Sequence, residues 1–81
     1  MKYRLFQQVA LTQDIPGKRL QWGDVATVVE CHAVREGAPG YSIEVVNAVG
    51  ETLMVTTVSE NFLEELTADE VFHVRPLAQV K

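Results

Sequence analysis

Turn signals cut this chain into stretches too short for anything but a small β fold. Asp14-Ile15-Pro16-Gly17 pairs a proline that fixes φ with a glycine that permits reversal, and Glu36-Gly37-Ala38-Pro39-Gly40 does the same further on. Asn47-Ala48-Val49-Gly50 has the length of a tight hairpin connection. Between these breaks lie short runs of apolar and β-branched residues: 7–12, 25–34, 41–47, 51–58 and 72–75. Five strands in 81 residues leave room for one domain, spanning 1–81. At typical values such a domain has a net stability of only ~4–12 kcal/mol. One cysteine rules out an intrachain disulfide, so the 47% hydrophobic content must supply the core.

Period-two alternation predicts which residues face inward. In 7–12, Val9 and Leu11 alternate with Gln8 and Ala10. In 25–34, the uncharged set Val25, Thr27, Val29, Cys31 and Ala33 is predicted to form the core face. Val28 and Val34 then need cover, or a bulge that re-aims them. Tyr41, Ile43 and Val45 are predicted inward in the third strand, and Leu53 and Val55 in the fourth. Ser59 is placed to cap a short helical turn, and 72–75 then reads as the last strand. Thr67-Ala68-Asp69-Glu70 has the form of a capping box. This order predicts a mainly β domain: a small five-stranded SH3-like barrel with a short helical turn before the last strand. An OB-fold would put a helix where only 47–50 stands.

The segment Leu20-Gln-Trp-Gly-Asp-Val-Ala-Thr-Val-Val-Glu30 resembles a family of short uncharacterised bacterial proteins with a Leu-x-x-Gly-Asp-x-Gly-Thr-Val-Val-Glu core. The resemblance runs from Val9-Ala-Leu-Thr-Gln-Asp-Ile-Pro16 through Tyr41-Ser-Ile-Glu-Val-Val46 and Gly50-Glu-Thr-Leu53 to Val74-Arg-Pro-Leu77. Ala26 stands where the family has its second glycine. The resemblance implies an SH3-like barrel and carries no assigned activity.

Residues with reactive chemistry are few. Cys31 and His32 are neighbours on a strand and point to opposite faces, so they do not form a chelating pair, and His73 is far along the chain. A mid-strand Cys31 reads as a structural thiol rather than a nucleophile. No phosphate-binding, dinucleotide or hydrolase motif occurs, which predicts a protein that is not an enzyme and needs no metal or cofactor. Gln7 and Gln8 interrupt the N-terminal stretch before it becomes a secretory leader. No apolar run approaches a membrane span, so a cytoplasmic location is expected.

What remains is a binding surface. The chain carries a formal charge of −4, which opposes nucleic-acid binding. Its acidic residues concentrate after position 59. Trp22, Glu60, Phe62, Glu64, Glu65 and Asp69 are the candidate interface, combining the 59–70 segment with the first long loop. The leading expectation is a non-catalytic protein-interaction module, such as an antitoxin- or immunity-like partner of a neighbouring gene product. One alternative is an RNA- or ribosome-associated SH3-like domain using Lys18, Arg19 and Arg35. Another is a homo-oligomeric structural protein pairing through an exposed edge strand.

Overall fold

In the computed structural model, which describes residues 2–77, the alternating stretches form one five-stranded antiparallel sheet. The strands are β1 (Gln8–Leu11), β2 (Val25–His32), β3 (Gly40–Val46), β4 (Thr52–Ser59) and β5 (Leu63–Glu65), in the spatial order β4-β3-β2-β1-β5. There is almost no helix. A 3-10 turn at Pro16–Lys18 sits in the first loop, and another at Glu60–Phe62 joins β4 to β5. Ser59 caps the second turn by accepting a hydrogen bond from the Asn61 amide. The 59–65 segment is therefore a single helical turn followed by a strand, and β5 rather than 72–75 is the last strand.

That short join dictates the shape. From Ser59 to Leu63 the chain can reach at most roughly 14 Å. Five flat strands would hold their outer members about 19 Å apart. The sheet must therefore curl until its two edges approach each other, and the concave face becomes the core. Val9, Leu11, Ala26, Val28, Tyr41, Ile43 and Leu63 are all buried there. The curl stops short of closure, because β4 and β5 remain edges with no ladder between them.

Two bulges set which side chains reach this core. On β2 the register shifts between Val28 and Glu30, leaving Val29 as the extra residue. Ala26 and Val28 are buried before the bulge and Cys31 packs against the core after it. The expected inward set is thus corrected for Val25, Thr27, Val29 and Ala33, and holds for Cys31. Ala26 pairs directly with Val9 inside the curl, where a small side chain fits. On β4 the shift lies opposite Val45 and Val46, with Leu53 as the extra residue. Met54 and Val58 then face the core, while Leu53 and Val55 point to solvent, the reverse of expectation. Tyr41, Ile43 and Val45 are buried as predicted. Gly50 adopts φ +88 in the 47–50 hairpin, where Asn47 Oδ1 accepts hydrogen bonds from the Val49 and Glu51 amides.

The turn that joins the edges is clamped from the N-terminus. Tyr41 donates its hydroxyl hydrogen to Glu60 at 2.6 Å and accepts from the amides of Lys2 and Tyr3 at 3.0 and 3.2 Å. Tyr3 packs edge-on against Tyr41 and donates to the Leu63 carbonyl at 3.1 Å. Burial, and then the bond to Glu60, raise the Tyr41 phenol above its ordinary pKa.

Tyr41→Phe removes three hydrogen bonds and strands the buried Tyr3 amide, so it should cost about 1–3 kcal/mol in urea unfolding at neutral pH. Because the folded phenol has a raised pKa, its contribution is complete below the unfolded value near 10. It is lost as pH climbs past that value, since the unfolded chain ionises first. Stability measured against pH should therefore fall more steeply above pH 10 in the wild type than in Tyr41→Phe. The inverted faces have their own check: Leu11→Ala should cost about 2–5 kcal/mol and Val55→Ala no more than about 0.5 kcal/mol.

Candidate functional site

Beyond β5 the chain runs back over the sheet as an extended strap, and this strap lines two grooves. Residues 66–77 hold no strand or helix. What fixes them is Arg75, whose Nε donates to Asp24 Oδ1 at 3.0 Å and whose Nη2 donates to Asp24 Oδ2. The same guanidinium donates to the carbonyls of Arg19, Pro76 and Leu77. Both side chains are mostly buried, and the bond to Asp24 raises the pKa of Arg75 still further. Asp24 in turn accepts from the Gln21 amide at 2.7 Å, next to Gly23 at φ +88. The Gly23-Asp24 turn and Arg75 thus form one unit that tethers the strap to the start of β2.

A groove lies on each side of the strap. The first, about 490 Å³, has Ala10 and Val25 as its floor, where β1 and β2 pair. Trp22, Leu66, Val71 and Phe72 line it together with the carboxylates Glu64 and Glu70. The second, about 480 Å³, lies between the strap and the β3–β4 hairpin, with Val46, Leu53 and Leu77 among its lining. Apolar side chains around the strap stay in water: Trp22 is 69% exposed, Phe72 60%, and Val71 and Val74 91% each. Trp22 is nevertheless positioned, since its amide donates to Asp14 Oδ1 at 2.8 Å. Neither Trp22 nor Phe72 belongs to the buried core.

The candidate interface residues divide. Trp22 and Glu64 both line the first groove. Glu65 alternates to the other face of β5, opposite Val9. Glu60 is taken up by Tyr41 and the Lys2 amide, and Phe62 is half-buried beside it. Asp69 belongs to a separate exposed turn: the Thr67 hydroxyl donates to it at 2.6 Å and holds its carboxyl below the usual range. In that turn the Glu70 carboxylate accepts from the Thr67 amide, so one half of the expected capping box forms. Leu66 and Glu70 fall within the expected 59–70 segment without having been singled out, and Val71 and Arg75 were not among the candidates. Their signal was faint, because an exposed strap has no periodicity to read.

Polar groups elsewhere do not assemble a reactive centre. His32 shares a 2.8 Å hydrogen bond with Ser42 through Nε2, and Ser42 shares another with Thr57 at 3.0 Å. Glu30 lies 3.8 Å from that same Nε2 rather than from the other ring nitrogen, so it cannot orient the ring while Nε2 serves Ser42. Cys31 packs against the core with its thiol 3.8 Å from the Tyr3 carbonyl, and His73 lines the grooves on the strap. Among the described residues no three His, Cys, Asp or Glu side chains group as a metal site. No helix is long and apolar enough to cross a membrane. Lys18 and Arg19 precede β2, whereas Arg35 follows its far end, a separation of roughly 25 Å along an eight-residue strand.

The chain belongs to the family described as a domain of unknown function, DUF4926, whose model matches residues 5–65. No curated protein and no solved structure matches it. The matched span takes in all five strands together with Trp22, Asp24 and Glu64, and ends with β5. The strap, with Phe72 and Arg75, lies beyond it.

Breaking the tether tests this construction. Arg75→Gln leaves Asp24 partly buried without its cation and should cost roughly 2–4 kcal/mol, somewhat under the range for fully buried pairs because some solvent reaches both groups. Hydrogen exchange should show the first-loop amides of Leu20, Gly23 and Asp24 losing protection ahead of the sheet. In a double-mutant cycle with Asp24→Asn, the two losses should be strongly non-additive.

Proposed function

We propose that this member of the family is a non-catalytic protein-interaction module whose docking site is the groove between Trp22 and the strap. The observation that carries the reading is the exposed indole, on a loop whose Trp22 amide is bonded to Asp14, lining one groove with Leu66, Val71 and Phe72. Tryptophan at the centre of an apolar patch with a polar rim is the arrangement that concentrates binding energy in protein interfaces.

The rim selects the partner's chemistry. Asp24 is neutralised by Arg75, which leaves Glu64 and Glu70 as the uncompensated charges beside the apolar walls. A segment with one large apolar side chain flanked by lysine or arginine matches both features, and the net charge of −4 would speed its approach. An antitoxin- or immunity-like role, binding a basic protein encoded alongside, is the biological form of this reading. The five strands, their order and the 3-10 turn between the edges support an SH3-like barrel, left partly open, as the frame. The RNA-associated reading has less behind it, since Lys18 and Arg19 lie at the other end of β2 from Arg35.

The test is co-expression with the products of the adjacent genes, followed by titration of any complex formed. Trp22→Ala should weaken that complex by at least tenfold, roughly 1.4 kcal/mol or more, without shifting the thermal midpoint. Glu64→Lys should slow association and flatten its salt dependence. No complex with a neighbouring product, or one indifferent to both substitutions, would defeat the proposal.

A further inference from the structure

The two edges of the sheet are treated very differently by the sequence. β5 has only three residues, two of them glutamates, which is how a strand edge is normally kept from pairing with another chain. β4 has eight residues, Thr52-Leu-Met-Val-Thr-Thr-Val-Ser59, with no charge, no proline and no glycine. On its outer side it makes no backbone hydrogen bond to any other described residue. Leu53 and Val55 stand 41% and 56% exposed on it, with Val46 beside them on β3.

We infer that β4 pairs in antiparallel fashion with β4 of a second copy of this chain, making one continuous sheet across a two-fold axis. Charge points to the second copy as occupant. With a net charge of −4, two copies repel unless they meet through a neutral surface, and β4 is an edge that sets no carboxylate of one strand directly against its own copy. An isologous pairing also matches an eight-residue edge to one of equal length and covers Leu53 and Val55 with the same stretch of the partner. Pairing β4 to β5 would leave most of β4 unmatched and would not close. One strand per subunit is smaller than the roughly 800 Å² per partner of a standard interface, so the dimer is weak and concentration-dependent. This inference does not rest on the Trp22 groove.

Sedimentation equilibrium between about 10 µM and 1 mM should show a reversible monomer–dimer equilibrium, and hydrogen exchange should show β4 amides gaining protection as concentration rises. Val55→Lys should weaken the dimer at least tenfold. Its monomer should stay folded by circular dichroism, since residue 55 is exposed and lies opposite Glu44, a favourable partner for lysine. Trp22→Ala and Glu64→Lys should leave the dimer unchanged. A monomer across the whole range, a dimer that survives Val55→Lys, or one dissolved by Trp22→Ala would each overturn the inference. The exchange data on the wild type decide the matter even if Val55→Lys fails to fold.

Discussion

Everything in this molecule follows from a chain that must pass from one edge of its sheet to the other through one 3-10 turn. Glu60–Phe62 is too short to cross a flat sheet, so the five strands bend around a single concave face. This gives so small a domain a core without a second layer of structure. The hydroxyl of Tyr41 secures the bend by holding Glu60 on one side and the amides of Lys2 and Tyr3 on the other. Tyr3, buried edge-on against it, fills the space the turn encloses. The clamp links Lys2 and Tyr3, just ahead of the matched region, to Tyr41 in its middle and to Glu60 and Leu63 near its end. The bend is therefore held by contacts distant in sequence rather than by local propensity.

The strap is a second, separable layer. It adds no strand, and its one strong attachment is Arg75 on Asp24, in a turn that the positive φ of Gly23 makes possible. The guanidinium spends its remaining donors on three carbonyls, so it orders both the strap and the first loop. Trp22 rides on that loop. Leaving an indole mostly in water forgoes roughly 3–4 kcal/mol of burial, a large fraction of the ~4–12 kcal/mol available to a domain of this length. The loop leaves this side chain exposed in a groove lined also by Val71 and Phe72 of the tethered strap, where it adds little to the monomer's own stability.

How much of this was legible in the sequence depended on how far alternation could be trusted. Turns and strand existence were readable, because glycine and proline at 16–17, 37–40 and 50 break the pattern at the right places. β3 could be read face by face, since its alternation is uninterrupted on the core side. β2 and β4 could not. Val28 and Val29 are chemically identical, so nothing marks the second as a bulge, and one inserted residue exchanges inside for outside. The run Leu53-Met54-Val55 is apolar on both faces and has the same ambiguity. Trp22 and Glu64 were readable as candidate interface residues by type, and both line the first groove. Their partners on the strap were not, because a segment fixed by one ion pair carries no periodic signal. Arg75 looked like a scattered surface cation; only its distance to Asp24 reveals its role.

The unequal edges bear on the same question from another direction. β5 could be short and acidic at little cost because β1 already pairs with β2, and three residues suffice to anchor the turn. β4 had no such latitude on its inner side, where Met54 and Val58 complete the core opposite Val45 and Tyr41. Its outer side was free to carry lysine or glutamate at 53 or 55, and at each an uncharged residue stands instead, whereas Thr57 is engaged by its hydrogen bond with the buried Ser42. Core packing explains the first set and leaves the second unexplained. A surface strand that is neutral along its full length, in a chain where acidic residues outnumber basic ones by eleven to seven, is most simply accounted for by a neutral surface that meets it. The groove beside Trp22 shows the opposite combination of apolar walls and acidic rim. The two proposed surfaces thus differ in chemistry, a neutral edge strand in one and apolar residues with Glu64 and Glu70 in the other.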